Sequence, residues 1–110
     1  MIEIETSSFE NDLREQGVAL TFVYTTMCGT CQVARKMLHS IEALYDSSLF
    51  QQLNAAFYAE AMDAYKIESV PCLLITRQGH VVEKVYAFHS VPFLYEKLTP
   101  YINQKAENLR

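Results

Sequence analysis

Residues 19–31 read ALTFVYTTMCGTC, an apolar segment followed by two cysteines three residues apart. The segment 19–24 is nearly all apolar and rich in aromatic and β-branched residues, which predicts a central strand covered on both faces. From Cys31 onward apolar residues recur with helical spacing, so the sequence predicts an amphipathic helix that packs on the sheet. The two cysteines therefore lie where a strand is followed by the first turn of a helix.

The placement of Cys28 and Cys31 indicates redox chemistry. Residues i and i+3 in the first turn of a helix lie on the same side, so we expect a disulfide to form without movement of the backbone. Cys28 also faces the positive end of the helix dipole, which lowers the pKa of a thiol and favours the nucleophilic thiolate. The pattern predicts a reversible dithiol/disulfide pair.

The composition is typical of a small acidic protein. The chain has 110 residues, half of them hydrophobic, with no linker or repeat, which predicts one domain over residues 1–110 and a loose tail over 103–110. A net charge of −4 and nine Lys and Arg argue against a nucleic-acid partner. Three cysteines are too few for the disulfide scaffold of a small secreted protein. Neither a signal peptide nor a membrane span is evident in the sequence. We expect a cytoplasmic monomer without a membrane partner.

Hydrophobic periodicity and turn signals predict the element order βαβαβαββα, an α/β fold. The predicted elements begin with a strand over 2–4, a helix capped by Ser7 or Ser8 that runs to about Gln16, and the strand and helix around the cysteines. They continue with a strand over 49–55, a helix over 57–65, a hairpin of strands over 72–76 and 81–86, and a last helix capped by Ser90. The aromatic side chains, Phe57 and Phe88 among them, are expected on core and helix faces.

These features resemble the thioredoxin family over nearly the whole chain. The residues that carry the resemblance are the strand and motif of residues 19–31, the segment YKIESVP at residues 65–71, and the hairpin around Gly79. The resemblance implies a thioredoxin-like fold, with a central mixed sheet flanked by helices on both faces. It also implies a cis peptide bond between Val70 and Pro71, a geometry that is accessible before proline.

The resemblance further implies a thiol–disulfide oxidoreductase that reduces disulfides of proteins or of low-molecular-weight thiols. It assigns Cys28 as the attacking thiolate and Cys31 as the resolving thiol. The implied substrate groove consists of Met27, Gly29, Thr30, Val70 and Pro71. The implied partners are these disulfides and an electron donor, either a flavin reductase or a small thiol. No cofactor and no metal ion are implied.

Several positions depart from the family's pattern. Met27 replaces the usual Trp before the first cysteine, and residues 29–30 are Gly-Thr where the family has Gly-Pro. Phe22 stands where many thioredoxins have a buried Asp that helps to deprotonate the resolving thiol, and Ala87 replaces a Gly. Without a buried base, resolution of the mixed disulfide is expected to be slow. We therefore expect an activity that is weaker than that of a typical thioredoxin, or altered.

The alternative is a non-catalytic thioredoxin-like binding or redox-sensing module. In that case Cys28 and Cys31 sense the redox state, or Cys28, Cys31 and Cys72 hold a metal ion together with a ligand from outside the chain. Cys72 opens a buried strand, however, and a free cysteine in such a position usually belongs to the core.

Overall fold

The computed structural model describes residues 1–45 and 48–108. The strands are β1 (Ile2–Glu3), β2 (Val18–Tyr24), β3 (Gln51–Asn54), β4 (Cys72–Arg77) and β5 (His80–Val85). The helices are α1 (Phe9–Glu15), α2 (Gly29–Glu42), α3 (Ala59–Ala64) and α4 (Val91–Asn108), with a short 3-10 helix (Ala55–Phe57) before α3. The predicted order of strands and α-helices is confirmed.

The five strands form one mixed sheet in the order β1-β3-β2-β4-β5. β1, β3 and β2 are parallel, whereas β4 runs antiparallel to both β2 and β5. In β2, every residue from Val18 to Val23 is buried and only Tyr24 is partly exposed. The apolar segment is therefore the central strand that the sequence predicts.

The sheet separates two cores, because alternate residues of a strand point to opposite faces. One core contains Phe22 of β2, with residues of α2 and α4 that include Cys31, Leu38, Leu94 and Leu98; it is called the first core below. The second core contains Val23 of β2, with residues of α1, α3 and β4 that include Phe9, Leu13, Ala61, Cys72 and Leu74. Helices thus cover both faces, as the thioredoxin-like fold requires.

The segment after β3 differs from the prediction. Asn54 ends the strand, since its side-chain Oδ1 accepts a hydrogen bond from the backbone N–H of Ala56 at 3.0 Å. The chain then forms the 3-10 helix, and α3 begins only at Ala59. Phe57 ends this 3-10 helix with 78% of its surface exposed, so it lies neither in the core nor on the α-helix predicted over 57–65.

The segment predicted as a loose tail is helical in its first part, because residues 103–108 continue α4. Lys105 contributes to the attachment of this segment, because its Nζ donates a hydrogen bond to the backbone oxygen of Val18 at 3.4 Å. Residues 109 and 110 lie outside the described part of the chain. α4 is the longest helix described, and neither it nor another described helix is long and apolar enough to cross a membrane.

Candidate active site

Cys28 is the residue that caps the N-terminus of α2. Its Sγ accepts a hydrogen bond from the backbone N–H of Cys31 at 3.1 Å, which is the role that a Ser or Asp oxygen commonly has at this position. The hydroxyl of Thr30 lies 3.4 Å from the same sulfur. Because a disulfide sulfur carries no hydrogen, the hydroxyl is the donor. A backbone donor and a side-chain donor therefore both point at the sulfur of Cys28.

Cys28 and Cys31 form a disulfide, with their Cα atoms 5.2 Å apart. This separation lies inside the range of about 4.4–6.8 Å that disulfides ordinarily span. Cys28 is half-buried, whereas Cys31 lies in the first core with 1% of its surface exposed. Solvent and a partner can therefore reach the first sulfur but not the second.

A shallow groove of about 380 Å³ runs beside the disulfide and is called the active-site groove below. It is lined by Thr30, Val33, Ala34, Met37, Pro71, Tyr86, Phe88 and His89. The peptide bond between Val70 and Pro71 is cis. Cys72 of β4 pairs with Val23 of β2, so Pro71 lies beside the end of the strand that leads to Cys28. The groove therefore begins at Thr30, between the two cysteines, and has a mainly apolar wall, although neither cysteine lines it.

The five predicted groove residues do not all line this groove. Thr30 and Pro71 do. Val70 is half-buried and packs against both cores. Met27 and Gly29 are exposed residues on either side of Cys28 that do not line the groove, and Met27 has 95% of its surface exposed. These two residues form the rim next to the disulfide.

Six lining residues were not predicted as part of the site: Val33, Ala34, Met37, Tyr86, Phe88 and His89. Thr30, Val33 and Met37 follow one another at i, i+3 and i+7, so helical spacing could have shown that they form one stripe beside the motif. The apolar periodicity after Cys31 includes Val33 and predicts that it packs on the sheet, but 56% of its surface is exposed. For Phe88 and His89 there was no comparable signal, because the return of the chain after β5 brings them to the groove.

Phe22, which stands where the resemblance implies a buried acid, is an aromatic residue with 0% of its surface exposed. The ring of Tyr24 stacks beside it at a centroid distance of 6.0 Å, and Phe88 meets it edge-on at 6.1 Å. The buried polar side chains in the described part of the chain are two threonines and an asparagine, without a carboxylate. Cys31 therefore has no buried carboxylate beside it in the described residues.

Cys72 does not join the other two cysteines. It has 0% of its surface exposed and belongs to the second core, whereas Cys31 belongs to the first. Burial raises the pKa of the Cys72 thiol to about 11, although Lys84 and the hydroxyl of Tyr86 oppose this effect. Over residues 1–45 and 48–108, no three His, Cys, Asp or Glu side chains group together as metal ligands. The structure therefore does not assemble the cysteine site of the metal-binding alternative.

The raised pKa of Cys72 predicts a pH dependence of stability. A thiol in an unfolded chain has a pKa of about 8.5, so the buried, protonated thiol stabilises the folded state below this pH. That contribution is lost as the pH rises towards about 11, because only the unfolded state ionises in this window. Between these two pH values, we expect the free energy of unfolding to fall more in the oxidised wild-type protein than in the oxidised Cys72→Ala variant. Urea unfolding at several pH values measures the difference, and equal losses would contradict the prediction.

The chain was compared with known protein families and sequences. The family model described as Thioredoxin matches residues 1–99. The thioredoxin-like protein YusE of Bacillus subtilis is 45% identical over 92 residues, which cover 84% of this chain and 87% of that protein. A thioredoxin of Listeria monocytogenes is 28% identical over 101 residues, covering 91% of this chain and 97% of that protein.

Solved structures show the same fold. A mutant thioredoxin from Halobacterium salinarum superposes with a TM-score of 0.75 at 20% identity, over 92% of this chain and 89% of that one. The oxidised thioredoxin from Plasmodium falciparum gives a TM-score of 0.76 at 14% identity, over 93% of this chain and 98% of that one. With the match of the family model over residues 1–99, these findings show that the chain belongs to the thioredoxin family.

Proposed function

We propose that this protein is a thiol–disulfide oxidoreductase that reduces disulfides of proteins or of low-molecular-weight thiols. Membership of the thioredoxin family and the paired cysteines support oxidoreductase chemistry in general. One observation carries the assignment of roles. The disulfide lies at the N-terminus of α2 with Cys28 half-buried and Cys31 at 1% exposure, so Cys28 is the nucleophile and Cys31 the resolving thiol.

In the first step the thiolate of Cys28 attacks one sulfur of the substrate disulfide. A bond forms between these two sulfurs, the substrate S–S bond breaks, and its electron pair leaves on the other substrate sulfur, which takes up a proton. The N–H of Cys31 and the hydroxyl of Thr30 both point at the Cys28 sulfur. Together with the dipole of α2 they favour the negative charge that the attack requires.

In the second step the thiolate of Cys31 attacks the sulfur of Cys28. The intramolecular disulfide forms, the mixed disulfide breaks, and the substrate leaves as its second thiol. The Cα atoms of Cys28 and Cys31 are 5.2 Å apart, which allows this attack. Because Cys31 is buried, it does not react with the substrate disulfide directly. The substrate gains two electrons and two protons, which the protein regains from an electron donor such as a flavin reductase or a small thiol.

The active-site groove and its rim support binding of an extended substrate. In the proposed complex the backbone of Val70 pairs with the substrate chain beside Pro71, in the manner of an added strand. Met27, Gly29 and Thr30 contact the segment on the other side of the disulfide, and the mainly apolar groove wall receives its side chains. The proposed setting is the cytoplasm, where the protein acts as a monomer.

The assignment of roles is tested by Cys31→Ser. Because serine cannot resolve the mixed disulfide, we expect the reduced variant to accumulate a covalent adduct with its substrate. The variant is incubated with insulin as a protein disulfide and, separately, with oxidised glutathione. Intact mass spectrometry then measures an added mass equal to the bound substrate half or chain, which dithiothreitol removes.

The double variant Cys28→Ser/Cys31→Ser is the matched control, because it keeps Cys72 as its one cysteine. It should remain unmodified in both incubations. If Cys31→Ser remains free of adduct with both substrates, or if the double variant forms the same adduct, the assignment of Cys28 as nucleophile is wrong. The substrate that gives the faster adduct identifies the preferred class of disulfide.

A further inference from the structure

The side chain of Arg35 on α2 lies over the aromatic pair that fills the position of the family's buried acid. Its guanidinium carbon is 4.6 Å from the ring centroid of Tyr24 and 5.5 Å from that of Phe22. Its Nε donates a hydrogen bond to Oε1 of Gln52 at 3.1 Å. Gln52 is the register partner of Phe22 across β2 and β3. Two aromatic faces and one hydrogen bond thus hold the guanidinium in place.

Arg35 lies one helical turn after Cys31, the proposed resolving thiol. Arg35 follows Cys31 by four residues, a spacing that puts two Cβ atoms about 5–6 Å apart on one face of a helix. Side chains on a helix lean towards its N-terminus, so Arg35 leans over the turn that contains Cys31. The contact with Tyr24 agrees with this direction, because Tyr24 is the last residue of β2 and the chain runs from there to Cys28 at the start of α2.

The charge of Arg35 is not neutralised by direct pairing. Among the described residues, no carboxylate lies within 4.0 Å of its guanidinium. The carboxylate of Glu3 lies near Tyr24 and accepts a hydrogen bond from its hydroxyl at 2.7 Å. Burial, with a smaller contribution from Glu3, raises the pKa of Tyr24 to about 12, so this hydroxyl stays protonated and neutral.

Charged groups also border the first core, away from the disulfide. Glu42 of α2 pairs with the amino terminus of Met1 at 3.1 Å and accepts hydrogen bonds from the backbone N–H groups of Leu49 and Phe50. It lies eleven residues after Cys31, about 16 Å along the helix. Lys105 of α4 donates to the backbone oxygen of Val18, at the start of β2.

Besides Tyr24, two tyrosines pack on this core, Tyr45 and Tyr101, and burial raises the pKa of both. The residues that β4, β5 and α4 bury in this core are apolar. His89 lines the active-site groove and is exposed to solvent.

We propose that Arg35 is a positioning residue that stabilises the thiolate of Cys31, and so supports resolution where the family's buried acid is missing. The proposal rests on the proposed role of Cys31. A nearby opposite charge favours the ionised form of an acid and lowers its pKa, by about 1–3 units for an Asp beside an Arg. In the resolving step Cys31 loses its proton to water, its sulfur bonds to that of Cys28, and the substrate thiolate leaves. The cation increases the fraction of Cys31 that is ready for this attack.

The expected gain in rate is smaller than the gain in thiolate. Nucleophilicity falls as the pKa falls, with a Brønsted coefficient of about 0.4–0.5. A tenfold rise in thiolate population below the pKa therefore gives only about a threefold rise in the rate of resolution. The pH at the midpoint of the rate profile reports the effect more directly than the rate at a single pH does.

The test compares Arg35→Met with Lys36→Met, which removes the same charge from the adjacent, exposed position of α2. Reduced protein reacts with 5,5′-dithiobis(2-nitrobenzoate) in a stopped-flow instrument. Attack by Cys28 releases the first coloured thiolate, and resolution by Cys31 releases the second. For Arg35→Met we expect the pH midpoint of the second phase to rise by about one unit, because Cys31 then binds its proton about tenfold more tightly. We also expect the rate of this phase at neutral pH to fall about threefold. Lys36→Met should leave both within about twofold of wild type.

A third variant separates charge from packing. Arg35→Lys keeps the charge and should keep the midpoint of the second phase close to that of wild type, while urea unfolding shows that each variant is folded. Equal shifts in Arg35→Met and Lys36→Met, or no shift in Arg35→Met, would overturn the proposal. A shift in Arg35→Lys as large as in Arg35→Met would also overturn it. The reagent reports both thiols without a natural substrate, so failure here is distinct from failure of the trapping experiment.

Discussion

Replacing Cys28 with serine is expected to lower disulfide reduction to the rate observed without protein. A serine hydroxyl does not ionise near neutral pH, so it cannot replace the thiolate as nucleophile. Cys31 cannot take over, because only 1% of its surface is exposed and substrate disulfides do not reach it. The measurement is the turnover of insulin disulfides with dithiothreitol as electron donor, compared with a reaction that contains no protein.

Cys72→Ala is the matched control for this experiment. Cys72 is buried in the second core, on the other side of the sheet from Cys31, so its removal should leave turnover close to that of wild type. If Cys28→Ser keeps wild-type turnover, the nucleophile lies elsewhere and the proposed function is wrong. If Cys72→Ala abolishes turnover while it remains folded, the third cysteine takes part in the reaction and the assignment is incomplete.

Replacing Phe22 with alanine is expected to destabilise the protein by about 3–5 kcal/mol, the usual cost of deleting a buried aromatic ring. The ring has 0% of its surface exposed and contacts both Tyr24 and Phe88. Because the folding free energy of a small domain is about 5–15 kcal/mol, this loss is a large share of the whole. Urea unfolding of the oxidised protein measures it as a difference in the free energy of unfolding.

Phe57→Ala is the control for the loss of a phenylalanine as such. With 78% of its surface exposed, Phe57 contributes little buried area, so its replacement should cost at most about 0.5 kcal/mol. Similar costs for the two variants would show that Phe22 is not the packed centre of the first core. A large cost for Phe22→Ala together with a wild-type circular dichroism spectrum would agree with a packing role.

Local signals in the sequence predicted the parts of the fold that depend on one segment at a time. The apolar run of residues 19–24 belongs to β2, because a strand buried on both faces requires nearly continuous apolar residues. The turn around Gly79 joins β4 to β5, and Ser90 caps α4 by accepting the N–H of Phe93 at 3.2 Å. These features rest on interactions between residues that are close in the chain.

Segments without a strong local signal were predicted less well. Residues 54–59 have no clear break, and the 3-10 helix that forms there leaves Phe57 at the surface. Residues 103–108 looked like a tail by composition, although they extend α4 and one of them, Lys105, contacts β2. In both places the outcome depends on packing against distant parts of the chain.

The sequence by itself determined the chemistry of the motif, because Cys28 and Cys31 meet through the i, i+3 geometry of a single helical turn. Only the tertiary structure decided what surrounds this pair. The resemblance to thioredoxins already implies Pro71 in the groove, but the order of the strands puts Cys72 in the other core. The register of β2 with β3 sets Gln52 beside Phe22, where it holds Arg35. These neighbours are far apart in the chain, so their contacts depend on how the whole sheet is assembled and leave no local pattern to read.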